Sequence, residues 1–103
     1  MLLQVTDFDK QKAEELKDLA NKFYADNKLE TAVNYYTEAI SYNPYVASYY
    51  TNRSIANFKL ELFGSALSDA DEALKIDGKF IKAHYRRACA NMMLGHLKGI
   101  LFH

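Results

Sequence analysis

Hydrophobic residues recur at intervals of three and four along most of the chain, which is the spacing of one face of an α-helix. Leu16, Leu19, Ala20 and Phe23 form one such series. The apolar series and the polar breaks between them predict five helices, at about residues 9–25, 29–41, 47–60, 63–76 and 80–94. The sequence therefore predicts an all-α domain.

Short polar segments mark the ends of these helices. The segment Asp-Asn-Lys at 26–28 predicts a turn, the pair Asn-Pro at 43–44 ends the second helix, and the pair Asp-Gly at 77–78 separates the fourth helix from the fifth. Thr6, with Asp9 three residues later, has the spacing of a capping box at the start of the first helix.

The helices fall into a repeat of 34 residues. Copies begin at Ala13, Ala47 and Ile81, which gives repeats at about 13–46, 47–80 and 81–103, the last one incomplete. Ala32 in the first copy aligns with Ala66 in the second. We interpret each copy as two antiparallel helices that cross closely where both carry a small residue.

The period and the residue pattern of the first copy resemble the tetratricopeptide repeat. Its pattern positions hold Leu16, Leu19, Ala20, Phe23, Ala32, Tyr36, Ala39 and Pro44. The second copy matches more loosely, and Arg53 stands where an apolar residue is usual. The resemblance implies a right-handed superhelical solenoid of helix-turn-helix units, with two full repeats plus a truncated third. It also implies a single domain over 1–103 that contains no catalytic domain.

Composition narrows the function classes. Lysine plus arginine equals aspartate plus glutamate at 13 each, so no global field attracts nucleic acid or an anionic membrane. The one cysteine, Cys89, excludes an intramolecular disulfide and favours a reducing compartment. The first ten residues do not resemble a signal peptide, and no apolar run approaches the roughly 18 residues of a membrane span. We expect a cytoplasmic or nuclear domain without nucleic-acid or membrane partners.

Catalytic and metal sites have little support in the sequence. His84, His96 and His103 show no metal-ligand spacing with one another or with Cys89. No glycine-rich phosphate loop is present in the sequence. We therefore expect no catalytic residues, no metal and no cofactor in this chain.

One face of the first helix in each repeat collects hydrogen-bond donors. Mapped at about 100° per residue, this face lies opposite the packing side and forms the concave wall of a stacked solenoid. It carries Lys17, Asn21, Asn52, Lys82 and Arg86. Such a set suits a carboxylate, since lysine and arginine make charge-assisted bonds to it and asparagine amides can hold a peptide backbone. The alternative for any one of these residues is an ordinary solvated surface.

The five donors resemble the two-carboxylate clamp of chaperone-binding tetratricopeptide domains. The resemblance implies that Lys17, Asn21, Asn52, Lys82 and Arg86 hold the C-terminal aspartate of an EEVD tail, the ending of heat-shock protein 90 and heat-shock protein 70. The segments YYTNRS, FGSAL and FIKAHYRRACANMMLGH are further similar to the tetratricopeptide domains of the phosphatase 5 family of serine/threonine phosphatases.

Further groove candidates are Lys59, Tyr85 and Met93. Lys59 stands where the resemblance implies an arginine, and a lysine keeps the charge but lacks the planar fork. Aromatic residues recur at Phe23, Tyr35, Tyr36, Tyr50, Phe58 and Phe63. We interpret them as packing between helices, with a ligand-stacking surface as the alternative.

Three functions fit these observations. The first is a non-catalytic module that binds chaperone tails, as the targeting or regulatory domain of a serine/threonine phosphatase. The second is an autoinhibitory domain of that phosphatase, and the third is a generic scaffold for an acidic segment. After Gly95 the sequence reads HLKGILFH, with Gly99 where a second helix of the third repeat would lie. We expect an exposed apolar flank on the fifth helix and self-association through it.

Overall fold

The structure is a computed structural model that describes residues 4–101, apart from the side chains of Lys98, Ile100 and Leu101. Within this range the chain forms five α-helices: α1 (Asp7–Ala25), α2 (Leu29–Tyr42), α3 (Ala47–Lys59), α4 (Phe63–Ile76) and α5 (Ile81–Leu101). The all-α prediction is confirmed, and the first four helices match their predicted bounds to within two residues. None of the described helices is both long and apolar enough to cross a membrane.

A capping box begins α1, as the sequence predicts. The Thr6 side-chain oxygen accepts a hydrogen bond from the backbone N–H of Asp9 at 3.1 Å, and the Asp9 carboxylate accepts one from the backbone N–H of Thr6 at 3.2 Å. The reciprocal bonds satisfy two backbone donors that a helix start leaves without partners. Asp9 and Asp7 also place negative charge at the positive end of the helix dipole.

Alanines make up most of the buried apolar residues. α1 packs on α2, α3 packs on α4, and α5 packs on α4 and α3. Ten alanines are fully buried in these contacts: Ala13, Ala20, Ala32, Ala39, Ala56, Ala66, Ala70, Ala73, Ala83 and Ala90. Leu19, expected to pack, stays 39% exposed, because it lies at the edge of the α1 face that Leu16 and Ala20 bury.

The same turn reverses the chain in the first two repeats. Asn27 follows α1 with φ of 59°, and Glu61 follows α3 with φ of 63°. These two residues are 34 positions apart, and both adopt the left-handed conformation that non-glycine residues rarely take. The turn geometry is therefore part of the repeat, even though the residue type changes.

The third repeat does not turn at the corresponding position. Gly95 is 34 residues after Glu61, yet it stays helical, and α5 continues to Leu101. The predicted end of this helix near residue 94 is wrong. In the first two repeats the helix after the turn packs through a buried alanine, Ala32 or Ala66. The residue that aligns with them in the third repeat is Ile100. A continuous helix keeps its backbone hydrogen bonds without requiring that close crossing. The sequence also predicts that Ile100, Leu101 and Phe102 have little left to pack on, and these side chains lie outside the described residues.

Candidate functional site

Two adjoining clefts form a groove along α1, α3 and α5. The first has a volume of about 150 Å³ and is lined by Asn21, Tyr24, Tyr36, Asn52 and Ile55. The second has a volume of about 430 Å³ and is lined by Asn52, Ile55, Ile81, Lys82, Tyr85 and Arg86. Asn52 and Ile55 line both clefts. The structure therefore brings four of the five predicted donors together along one groove.

Lys17, the fifth donor, lies one helical turn before Asn21 on α1 and lines neither cleft. Its ammonium is 3.1 Å from an Asp18 carboxylate oxygen and 3.5 Å from one of Glu14. The hydrogen bond to Asp18, with a smaller effect of Glu14, raises the pKa of Lys17 above its ordinary value even though burial opposes the shift. The charge of Lys17 is thus compensated within its own helix.

Lys82 and Arg86 have no such compensation. Helix α5 contains no aspartate or glutamate, and neither cation has an ion-pair or hydrogen-bond partner within residues 4–101. The Arg86 guanidinium lies over the rings of Phe58 and Tyr85, at 5.1 Å and 5.4 Å from their centroids. These cation–π contacts hold it in place but leave its Nε buried without a hydrogen-bond partner. A buried donor of this kind is costly unless a ligand satisfies it.

Asn21 is held by a residue of α2 that also lines the first cleft. The hydroxyl of Tyr36, on α2, donates a hydrogen bond to the Asn21 side-chain oxygen. Burial, with a smaller effect of nearby Tyr24, raises the pKa of Tyr36 to about 12, so the hydroxyl is a protonated donor at neutral pH. The Asn21 amide nitrogen has no partner among the residues that the structure describes, so it is available to a ligand.

The other groove candidates differ in position. Lys59 is exposed beside the first cleft, with its ammonium 4.6 Å from the ring centroid of Tyr24. Tyr85 is 63% exposed and lines the second cleft. Met93 lies further along α5, partly buried, and lines neither cleft. Arg87 turns away from the groove residues and contacts the ring of His84.

Tyr24 and Tyr36 are groove residues that the sequence mapping does not identify. The groove is predicted from the exposed face of the first helix in each repeat, whereas Tyr36 belongs to α2. Packing is confirmed for two aromatic pairs. The rings of Phe23 and Tyr35 stack at 5.2 Å, and those of Phe58 and Phe63 meet edge to face at 5.1 Å.

A metal site is not evident in the part of the chain that the structure describes. No group of three or more histidine, cysteine, aspartate or glutamate side chains there could hold a metal ion. His84 donates a hydrogen bond through Nε2 to the backbone oxygen of Gly78, at 2.8 Å. Cys89 is a free, partly buried thiol, and His103 lies outside the described residues.

Several known proteins are similar to this chain in sequence. No family model matches. Human serine/threonine-protein phosphatase 5 is 45% identical over 91 residues, which are 88% of this chain and 18% of that protein. Mouse DnaJ homolog subfamily C member 7 is 38% identical over 87 residues, or 84% of this chain and 18% of that protein. The chain therefore spans about a fifth of the length of these relatives.

Three solved structures have the same architecture. The Arabidopsis OM64 TPR domain is 38% identical with a TM-score of 0.83, over 87% of this chain and 74% of that one. The second TPR of Spaghetti (RPAP3), bound to the HSP90 peptide SRMEEVD, is 35% identical with a TM-score of 0.82, over 86% and 82%. The second TPR domain of human RPAP3, in complex with the HSP70 peptide SGPTIEEVD, is 32% identical with a TM-score of 0.82, over 88% and 76%. The chain belongs to the tetratricopeptide-repeat family and is homologous to the N-terminal region of serine/threonine-protein phosphatase 5.

Proposed function

We propose that this domain is a non-catalytic module that binds the C-terminal EEVD tail of heat-shock protein 90 or heat-shock protein 70 in the groove of α1, α3 and α5. Two structural neighbours bind peptides that end in EEVD, one from each chaperone. Such a tail ends in an aspartate, which presents a side-chain carboxylate and a terminal carboxylate side by side. The groove offers lysine and arginine at one end and asparagine amides along its length.

The observation that carries the proposal is the uncompensated charge of Lys82 and Arg86. Both line the second cleft, and neither has a counter-charge within residues 4–101. The buried Nε of Arg86 also lacks a hydrogen-bond partner there. A carboxylate in this cleft would neutralise two cations, and arginine can hold it through two parallel bonds.

The remaining donors suit the peptide backbone and the second carboxylate. Asn52 lies between the two clefts, and Asn21 lines the first with an unpartnered amide nitrogen. Amide groups can hydrogen-bond the main chain of an extended peptide. Lys17 is already paired with Asp18, so its contribution requires exchanging one carboxylate for another. We therefore expect Lys82 and Arg86 to dominate the affinity, which should be on the order of micromolar and fall with added salt.

Isothermal titration calorimetry with two synthetic heptapeptides tests the proposal. Both end in EEVD, one as the free acid and the other as the C-terminal amide, so that only the terminal charge differs. The free acid should bind at least about tenfold more tightly, since the amide removes one charge-assisted bond. Equal binding of the two peptides would contradict the clamp and favour a scaffold that recognises acidic segments in general.

The phosphatase relationship supports a second role for the same domain. The chain matches a region of serine/threonine-protein phosphatase 5. Joined to a phosphatase catalytic domain, such a domain would regulate it, either by targeting it to a chaperone or by covering its active site. Adding the isolated domain to the matching catalytic domain separates these roles. Inhibition that EEVD peptide relieves would support autoinhibition, and no inhibition at saturating domain concentration would leave the binding role alone.

A further inference from the structure

Tyr36 and Asn21 connect the interior of the first repeat to the groove. Tyr36 is 2% exposed and packs with the buried alanines Ala20 and Ala32. Its hydroxyl reaches the groove side and donates to the Asn21 side-chain oxygen, and both residues line the first cleft. A buried side chain of α2 thereby fixes an exposed side chain of α1.

The direction of this bond determines what Asn21 offers to a ligand. A carboxamide carries an acceptor oxygen and a donor nitrogen, and rotation by about 180° exchanges them. The Tyr36 hydroxyl has no other hydrogen-bond partner among the described residues, so Asn21 gives it the acceptor that a buried O–H group needs. The oxygen is then occupied, and the nitrogen, with its two hydrogens, faces away from Tyr36.

We propose that Tyr36 is a positioning residue for ligand binding, which holds the Asn21 amide with its N–H donors toward the peptide. This inference rests on the proposed function, because a peptide with carboxylate and carbonyl oxygens needs donors at this position. Without the Tyr36 hydroxyl, the amide rotates freely and loses orientation entropy on binding. Tyr36 acts on the ligand through Asn21, whose side-chain oxygen its hydroxyl holds.

A double-mutant cycle tests this coupling. The free-acid peptide is titrated by calorimetry into the wild-type domain and into variants with Tyr36→Phe, Asn21→Ala and both changes. Tyr36→Phe should weaken binding about three- to tenfold when Asn21 is present and have no further effect when Asn21 is alanine. Tyr50→Phe is the matched control, since it removes another partly buried hydroxyl, one that bonds the backbone oxygen of Pro44, and it should leave the affinity unchanged.

Each outcome has a distinct meaning. Failure of the wild-type domain to prefer the free acid would contradict the proposed function. Two outcomes would overturn the positioning role while the wild-type domain still binds the free acid. One is that Tyr36→Phe leaves the affinity unchanged, and the other is that Tyr36→Phe lowers the affinity equally with and without the Asn21 side chain. If Tyr36→Phe unfolds the domain, a ¹⁵N NMR titration of the wild-type protein replaces the double-mutant cycle. It follows the signals of the Asn21 side-chain amide. These signals should shift on peptide addition, and unshifted signals would overturn the inference.

Discussion

Arg53 on α3 and Asp69 on α4 form a bidentate ion pair inside the second repeat. Arg53 Nη2 lies 2.7 Å from Asp69 Oδ1, and Arg53 Nε lies 3.0 Å from Oδ2. Asn57 donates to the same carboxylate at 3.0 Å, and Arg53 Nη1 donates to Thr37 of α2 at 3.0 Å. The charged residue at a usually apolar position of the repeat thus joins three helices, α2, α3 and α4.

Removing one member of this pair should destabilise the fold. The Asp69 side chain is 6% exposed, so Asp69→Ala leaves the Arg53 guanidinium and the Asn57 amide without their buried acceptor. The free energy of unfolding should fall by about 3–5 kcal/mol, as measured by urea denaturation. The exposed neighbour Asp71 is the control, and Asp71→Ala should change stability by less than about 0.5 kcal/mol. A loss under 1 kcal/mol for Asp69→Ala would mean that the pair contributes little.

The sequence predicts the bounds of the helices better than the contacts between residues of different helices. Helix bounds follow from capping residues such as Thr6 and from alanine spacing, which act within a few residues along the chain. The continuation of α5 through Gly95 could not be predicted from the sequence. Glycine permits a turn without requiring one, and whether the chain turns depends on how well a following helix could pack. The partners of Arg53 and Asn21 lie 16 and 15 residues away on other helices, so single-helix mapping cannot supply them.

Lys82 and Arg86 should each contribute to peptide binding. Lys82→Ala and Arg86→Ala remove the two cations of the second cleft, and each should reduce the binding free energy for the free-acid peptide by about 1.5–3 kcal/mol in calorimetry. Arg87→Ala is the control on the same helix, since Arg87 contacts His84 instead of the cleft. Thermal unfolding by circular dichroism confirms that each variant is folded. Losses below about 0.5 kcal/mol at both positions would indicate a spectator surface.

Asp18 should limit the affinity for anionic peptides. Its carboxylate holds the Lys17 ammonium at 3.1 Å and would compete with a peptide carboxylate for it. Asp18→Asn should therefore tighten binding roughly two- to fivefold at low salt, with the gain fading at high salt. Glu15→Gln on the same helix removes one negative charge that does not contact Lys17. If both variants changed the affinity equally, the effect would come from net charge and not from the Lys17 contact.

Stability should fall at high pH as buried tyrosines ionise. Burial raises the pKa of Tyr36 to about 12, and burial with the hydrogen bond to Glu14 also raises the pKa of Tyr49. Because the folded pKa exceeds the unfolded value of about 10, this stabilisation is complete below pH 10 and is lost as pH rises through the folded pKa. Urea denaturation between pH 8 and about pH 11 should show the decline, and Tyr36→Phe should reduce it. Tyrosinate absorbance with all eight tyrosines ionising near pH 10 in the folded protein would contradict this.

Self-association through α5 stays a prediction, and the exposed apolar side chains of this helix offer positions at which to test it. Ile81, Tyr85 and Met92 lie on one side of α5 and are 81%, 63% and 68% exposed. Sedimentation velocity should show a concentration-dependent increase in mass that Met92→Glu suppresses. Asn91→Glu places the same charge on an exposed neighbouring position outside this stripe and should leave the increase unchanged. Since Ile81 and Tyr85 also line the second cleft, saturating EEVD peptide should compete with self-association. A strict monomer at high concentration would contradict the prediction.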